Sequence, residues 1–403
     1  DTFEFLIDIK LSYLDNLNEV QRQAVTKTEG PVMVLAGAGS GKTRVLTYRI
    51  AFLIEQGIDP FNILALTFTN KAAREMKNRI AKIVGESLAR SLWMGTFHSI
   101  FARLLRFEVD KIGYPSNFTI YDMDDSRNLL KSIIKEMKLD DKVYKPNLVQ
   151  RRISAAKNGL IGPVEYQSDS SIYNDDVQAK KPLLGKIYAT YQKRCFQAGA
   201  MDFDDLLFKT NILLKKHSEV LLKYQDKFRY ILVDEFQVTN FAQSNILKML
   251  AARHENICVV GDDAQSIYAF RGANIQNILK FKSLYSDATV FKLEQNYRST
   301  QTIVEAANQI IKQNKDQLQK KVWTDNDQGD RIKLIKCLSE TEEGNFIAEE
   351  ILSIKSNNTI TEEAFAILYR TNAQSRAIEE SLRRKNISYR IYGGLSFYQR
   401  KEI

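Results

Sequence analysis

The chain alternates between short, wholly apolar runs and longer amphipathic stretches. Pro31 to Leu35, Asn62 to Phe68, Arg229 to Val233 and Asn256 to Val260 are the clearest apolar runs. Runs this short, apolar on both sides of the pleat and bounded by turn residues, predict buried strands of a parallel sheet. The first turns into a helix beginning near Lys42, and the second is followed by a helix from about Lys71 to Val84. Strand, turn and helix, repeated, predict a doubly wound α/β sheet that takes its ligand at the carboxyl ends of its strands.

From roughly Phe107 to Gly185 the rhythm breaks into polar, helix-like sequence, softened by Asn, Asp and Ser near Ser168 to Asp176. This stretch reads as a helical insertion within the first sheet domain. Its charge is dense, in Lys131 to Lys145 and at Arg151, Arg152 and Lys157. Such a surface is either a solvated helical face or one turned toward a nucleic acid. A second α/β unit opens near Leu293. Its expected strands are Arg331 to Cys337, Ala364 to Tyr369 and Tyr389 to Tyr392. Its expected helices are Glu342 to Ser356 and Arg376 to Lys385. A sheet of this kind would continue, so the unit reads as incomplete. The expected divisions are residues 1–106 and 186–292 for the first sheet domain, 107–185 for the insertion, and 293–403 for the second.

At 403 residues the chain exceeds one ordinary domain. Hydrophobic residues at 44% and charged residues at 27% argue against disorder. Lys and Arg outnumber Asp and Glu by 58 to 49, leaving a net charge of +9. That balance fits a polyanionic partner, or a solvated basic surface with none. Cys195, Cys258 and Cys337 lack paired spacing, which points to reduced thiols and not to a disulfide frame or zinc site. His98, His217 and His254 are equally scattered. No leader sequence or membrane-length apolar run is legible, so a soluble, cytoplasmic protein is expected.

The sharpest chemical signal is Gly37-Ala38-Gly39-Ser40-Gly41-Lys42-Thr43, which follows a strand and opens a helix. Glycines let backbone N–H groups close around phosphates, and the helix N-terminus adds a favourable dipole. Lys42 would reach the β- and γ-phosphates and the Thr43 hydroxyl would bind Mg²⁺. The strict pattern wants Gly where Ala36 stands. Asp234 and Glu235 end the strand Tyr230 to Val233. Such a pair alone is often a helix cap. Beside a phosphate loop, Asp234 would hold Mg²⁺ and Glu235 would orient and deprotonate a water. The long separation of Lys42 from Asp234 exceeds the needs of a compact nucleotide domain, which requires the insertion.

These residues, from Leu17 to Ile403, resemble superfamily 1 helicases of the UvrD/PcrA/Rep group. Leu17 to Gln21 looks like that family's adenine-reading motif, implying that Gln21 bonds the base. Ala36 to Arg44 matches its phosphate loop, which tolerates Ala36 and implies that Arg44 lies near the nucleotide. Thr67 to Ala73, with Phe68 and Asn70, and Gly95 to Ser99, with Thr96 and His98, resemble two segments that contact single-stranded DNA. Met201 to Leu206 matches another family segment. Gly261 to Tyr268 resembles the coupling motif, implying that Gln265 senses the γ-phosphate while Tyr268, Phe270 and Arg271 sit toward the DNA. Gln295 to Ser299 resembles the start of a second motor domain, where Tyr297 would stack on adenine and Arg298 would act as an arginine finger. Tyr369 to Asn372 resembles a second-domain DNA contact through Arg370 and Asn372. By this likeness the fold is a RecA-like P-loop domain with a helical insertion and a second, incomplete RecA-like domain. The implied activity is ATP- and Mg²⁺-dependent movement, 3′-to-5′, on single-stranded DNA and at single/double-strand junctions, in DNA repair or replication.

Three departures qualify the likeness. Val238 stands where the family carries a second Asp, so a polar link between hydrolysis and coupling motifs is expected to be lost. Phe270 replaces a frequent Trp. The family's later motifs are missing, and Tyr392 to Arg400 resembles the insertion point of its accessory domain. The chain is therefore expected to bind ATP and single strands but unwind poorly. The helicase part of a helicase–nuclease and a catalytically idle, nucleotide-gated DNA-binding module remain alternative readings.

Overall fold

The computed structural model describes residues 12–269, 272–315, 317–357 and 359–392. They divide into two compact units, Asp1–Asp330 and Arg331–Ile403.

The first unit is built on β1 (Val32–Ala36), β2 (Ile63–Thr67), β3 (Trp93–Thr96), β6 (Tyr230–Val233), β7 (Ile257–Gly261) and β8 (Thr289–Leu293). They form one sheet in the order β3-β2-β6-β7-β1-β8. Every pairing is parallel, with Val32 opposite Cys258 on one side and Thr289 on the other. Successive side chains in a strand point to opposite faces. Met33, Leu64, Leu66, Ile231, Val233 and Val259 accordingly join one buried core, while Val32, Val34, Ile63, Ala65, Leu232 and Val260 join another. Two cores on two faces explain why the central strands carry no polar alternation, since each position is buried somewhere.

Strands β4 (Thr119–Tyr121) and β5 (Ala200–Asp202) pair in parallel apart from that sheet. Between them in sequence lie the helices Met123–Glu136, Pro146–Asn158, Pro163–Ser168, Ser170–Gln178 and Leu184–Gln197. They close over a third core of Leu130, Ile133, Ile134, Val149, Ile153, Tyr188 and Tyr191. The polar-amphipathic stretch thus owes its helices to one apolar stripe apiece.

Residues 293–330, read from sequence as the opening of the second unit, are held on the first. β8 ladders with β1, and Gly37 N–H donates to Leu293 C=O at 2.9 Å. In the second unit, helices Glu340–Asn357 and Ser375–Arg384 pack through Ala348, Ile351, Ile378 and Leu382. The strands expected at 331–337, 364–369 and 389–392 do not form. A strand exists only by pairing, and Leu334 and Leu368 stand 97% and 94% exposed instead of entering a ladder's covered face. Among the described residues, no helix is long and apolar enough to cross a membrane.

Candidate functional site

β1 delivers the chain into the phosphate loop. Gly39 (φ +69°) and Gly41 (φ +85°) occupy the left-handed region that only glycine enters without strain. A side chain at Gly39 would also collide with Asn296, 2.7 Å from its Nδ2. Ser40 Oγ donates to Gly37 C=O at 2.7 Å, and the helix Lys42–Glu55 starts directly after Gly41. The loop is therefore shaped before any ligand arrives. Among the described residues, Lys42 Nζ is buried without a hydrogen-bond partner, and it stands 3.9 Å from Glu235 Oε2. A buried ammonium whose hydrogen bonds are unmade is costly, so the site is suited to an anion. Thr43 and Arg44 follow on the same helical turn, with Arg44 exposed.

Gln21 is turned into this loop. It is 1% exposed, its Nε2 donates to Ser40 C=O at 2.9 Å, and its Oε1 accepts from Asn18 N–H at 3.1 Å. The Ala38 carbonyl accepts from Asn296 Nδ2 at 2.7 Å, while Gly39 C=O accepts from Tyr297 N–H at 3.0 Å. Asn296 Oδ1 in turn accepts the N–H groups of Arg298 and Ser299, both at 2.8 Å. Asn296 thus fixes the Arg298 backbone against the phosphate loop. The half-exposed Tyr297 accepts from Asn18 Nδ2 at 2.7 Å and donates to Gln295 Oε1 at 2.8 Å.

The acidic pair stands at the end of β6, beside the end of β2. Asp234 N–H donates to Leu66 C=O at 2.8 Å, and the side chain is 4% exposed. Burial, and then the Glu235 carboxylate, push the Asp234 carboxyl up to about 7, against the pull of Lys42 and a bond from Glu235 N–H. A buried carboxyl so short of positive charge fits a divalent cation. Glu235 adopts φ +52°, an uncommon conformation for a side-chain-bearing residue that aims its carboxylate at Lys42. Gln237 Nε2 donates to Glu235 Oε2 at 2.6 Å, and Gln237 Oε1 accepts from Asp262 N–H at 3.1 Å. Gln265 Nε2 donates to Asp262 Oδ2 at 2.7 Å, which holds it in the coupling segment. Lys320, almost fully buried, pairs with Asp262 at 2.9 Å and with Asp263.

Around Val238, other hydrogen bonds join the hydrolysis turn to the coupling segment and to the residues just after it, beginning with Asp262 N–H to Gln237 Oε1 at 3.1 Å. Ser266 Oγ donates to Gln237 C=O at 3.3 Å, Asn274 N–H to Thr239 C=O at 2.9 Å, and Asn277 Nδ2 to the same carbonyl at 2.9 Å. Val238 itself is 9% exposed within the turn Phe236–Val238.

The residues matched to strand contact lie at the ends of β2, β3 and β7. Phe68 is 37% exposed, and its ring meets Tyr268 at 5.3 Å. Thr69 caps the helix that starts at Asn70, and Thr96 caps the helix Phe97–Glu108 through Ser99 N–H. His98 lies edge-on to Phe203 at 5.9 Å, and burial lowers its pKa, favouring the neutral imidazole. Phe270 and Arg271 lie outside the described residues, as does the stretch from Gly393 through Arg400. In the second unit, Arg370 N–H bonds Gln374 Oε1 at 2.9 Å and Asn372 opens a short turn.

Sequence reasoning passed over Asn18, Gln237, Asn296 and Lys320. Asn18 and Asn296 sit inside the segments Leu17 to Gln21 and Gln295 to Ser299, and Gln237 lies between Glu235 and Val238, so all three are legible by position. Nothing in the local pattern marks Lys320.

Residues 17–286 match the UvrD/REP helicase N-terminal domain family, and residues 291–403 match the UvrD-like helicase C-terminal domain family. The chain is 49% identical over 391 residues to the ATP-dependent DNA helicase PcrA of Bacillus subtilis, covering 97% of this chain and 52% of that protein. It is 46% identical to the PcrA helicase of Staphylococcus aureus over the same shares. For that of Staphylococcus epidermidis the figure is 46% over 389 residues, 96% of this chain and 52% of the relative. The chain spans about half the length of the curated relatives it matches.

Proposed function

This chain belongs to the UvrD/REP helicase family, and from that premise we propose that it is the ATP-driven, strand-gripping part of a DNA helicase. The observation that carries the reading is the buried Lys42 ammonium, beside Glu235 but without a hydrogen bond, in a preshaped glycine loop. Lys42 takes the β- and γ-phosphates, which replace the hydrogen bonds it lacks. Thr43 and Asp234 would hold Mg²⁺, which when bound neutralises charge on the phosphate oxygens. Glu235 orients the attacking water and accepts its proton. Arg298, placed by Asn296 against the loop, supplies positive charge to the transferring phosphoryl group. Gln265 reports the state of that group to Asp262 and so to the segment carrying Tyr268. Tyr297 offers a ring face to the base.

Phe68 and Tyr268 receive bases by stacking, and Asn70, Thr96 and His98 line the strand's path, none of which reads sequence. Movement 3′-to-5′ and a preference for single/double-strand junctions rest on the family resemblance. The test is ATP hydrolysis by the intact protein with and without single-stranded DNA, in wild type and Glu235→Gln. Hydrolysis that rises with the strand and disappears in Glu235→Gln supports the reading. ATP binding without turnover would replace it with a nucleotide-gated DNA-binding module.

A further inference from the structure

Among the described residues, the helical insertion is hydrogen-bonded to the segment after the hydrolysis turn through Asn158. Asn158 ends the helix Pro146–Asn158. Its Nδ2 donates to Asp204 Oδ1 at 2.9 Å, and its Oδ1 accepts from Asn240 Nδ2 at 2.6 Å. Asn240 lies two residues beyond the turn Phe236–Val238, which Glu235 leads into. It caps the helix Phe241–Ala251 with its own Oδ1 on Gln243 N–H and its N–H on Gln243 Oε1. The cap is complete without Asn158, so the Nδ2 bond to Asn158 is an added tie between the turn and the insertion.

The other side of the tie is rigid. Lys157, the residue before Asn158, is fully buried and pairs with Asp202 at 2.7 Å and Asp205 at 3.0 Å. Tyr191 OH also donates to Asp202 at 2.9 Å. Asp202, Asp204 and Asp205 open the helix Phe203–Lys216, and Phe203 between them meets His98, a proposed strand contact. A shift of the Phe203 turn therefore moves Asp204 and Lys157 together, and Asn158 with them. Asp204 is itself pushed up to about 6 by burial and then by Asp202.

We propose that Asn158 is a positioning residue that ties strand occupancy at the His98–Phe203 face to the placement of Glu235, through Asn240. This rests on the ATP-driven motor proposed above. Loss of a coupling contact of this kind changes the linkage between two sites by about three- to thirty-fold.

The test compares wild type, Asn158→Ala, Asn158→Asp, and Asn158→Asp combined with Asp204→Asn, in the intact protein. In the double variant the donor and acceptor between positions 158 and 204 exchange places and Asn240 keeps its acceptor, while the bond from Asn158 Nδ2 to Ser154 C=O at 2.9 Å is given up. ATP turnover is measured with and without single-stranded DNA, alongside KM for ATP, strand affinity and Tm. The expected result is a three- to thirty-fold fall in the ratio of stimulated to unstimulated turnover in both single variants. KM and strand affinity should move far less, and the ratio should recover in the double variant. An unchanged ratio in folded Asn158→Ala overturns the proposal. So does a parallel loss of stimulated and unstimulated rates that the double variant fails to repair, which would mark a merely structural joint. Absence of any stimulation in wild type would instead count against the motor reading itself.

Discussion

The carboxyl end of β1 and the carboxyl ends of β2 and β3 belong to one sheet, yet they are finished in opposite ways. At β1 the loop backbone is tied down. Gln21, Ser40, Asn296 and Tyr297 all bond the loop backbone, and two left-handed glycines set its curve. At the ends of β2 and β3 the side-chain hydrogen bonds among the described residues are those of the helix caps around Thr69 and Thr96, and beside them stands the exposed ring of Phe68. Phosphoryl transfer draws its rate from charges already in place, so its loop must be rigid before the ligand comes. A strand that has to slide needs flat, exposed surface and no base-specific partner.

The largest effect should come from the rigid end. Lys42→Ala removes the one buried cation aimed at the phosphates, and ATP turnover should fall by about 10²–10³, the usual cost of losing one preorganised donor. The fold should hold, because Lys42 makes no hydrogen bond that the loop depends on. Turnover within tenfold of wild type, measured at saturating ATP, would place the catalytic charge elsewhere.

The exposed end should respond in affinity. Phe68→Ala removes a stacking surface and the partner of Tyr268, and should weaken single-strand binding by about 1–3 kcal/mol. Because no phosphate contact is lost, the slope of log affinity against log salt should stay as it was. A fluorescence titration at several salt concentrations separates the two outcomes. A changed slope with unchanged affinity at low salt would mean that the ring orders basic residues and does not stack.

The same contrast governs what could be read from the chain. β1, β2, β6 and β7 were legible because they are central and buried on both faces, which makes them continuous apolar runs. β3 and β8 were not, and these are the two edges of the sheet. β3 has four residues including Gly95, and β8 carries Thr289 and Lys292 on partly wet positions. The apolar stretches near 331–337 and 364–369 show the converse error. Their composition suits a strand, but composition supplies no neighbour to pair with. In the site, Lys42, Thr43, Asp234 and Glu235 could be named because the phosphate loop and the acidic turn are local in sequence. Asn296 meets Ala38, and Lys320 meets Asp262, only after the sheet has closed. No window of sequence contains both partners of such a contact.

Val238 tests whether the rigid end tolerates an imperfect residue. If an aspartate there were the sole bridge between the hydrolysis and coupling segments, Val238→Asp would raise strand-stimulated turnover by orders of magnitude. Gln237 already bonds across the two segments to Asp262 and Ser266, and Asn274 and Asn277 hold Thr239 from just beyond them. One more hydrogen bond among four contributes about 0.5–1.5 kcal/mol, and placing a carboxylate at a position only 9% exposed offsets part of it. Strand-stimulated turnover in Val238→Asp should therefore rise by no more than about fivefold, with KM for ATP unchanged. A gain of a hundredfold would show that the four existing bonds merely hold the turn in shape, and that signal transfer between the segments waits on the missing carboxylate.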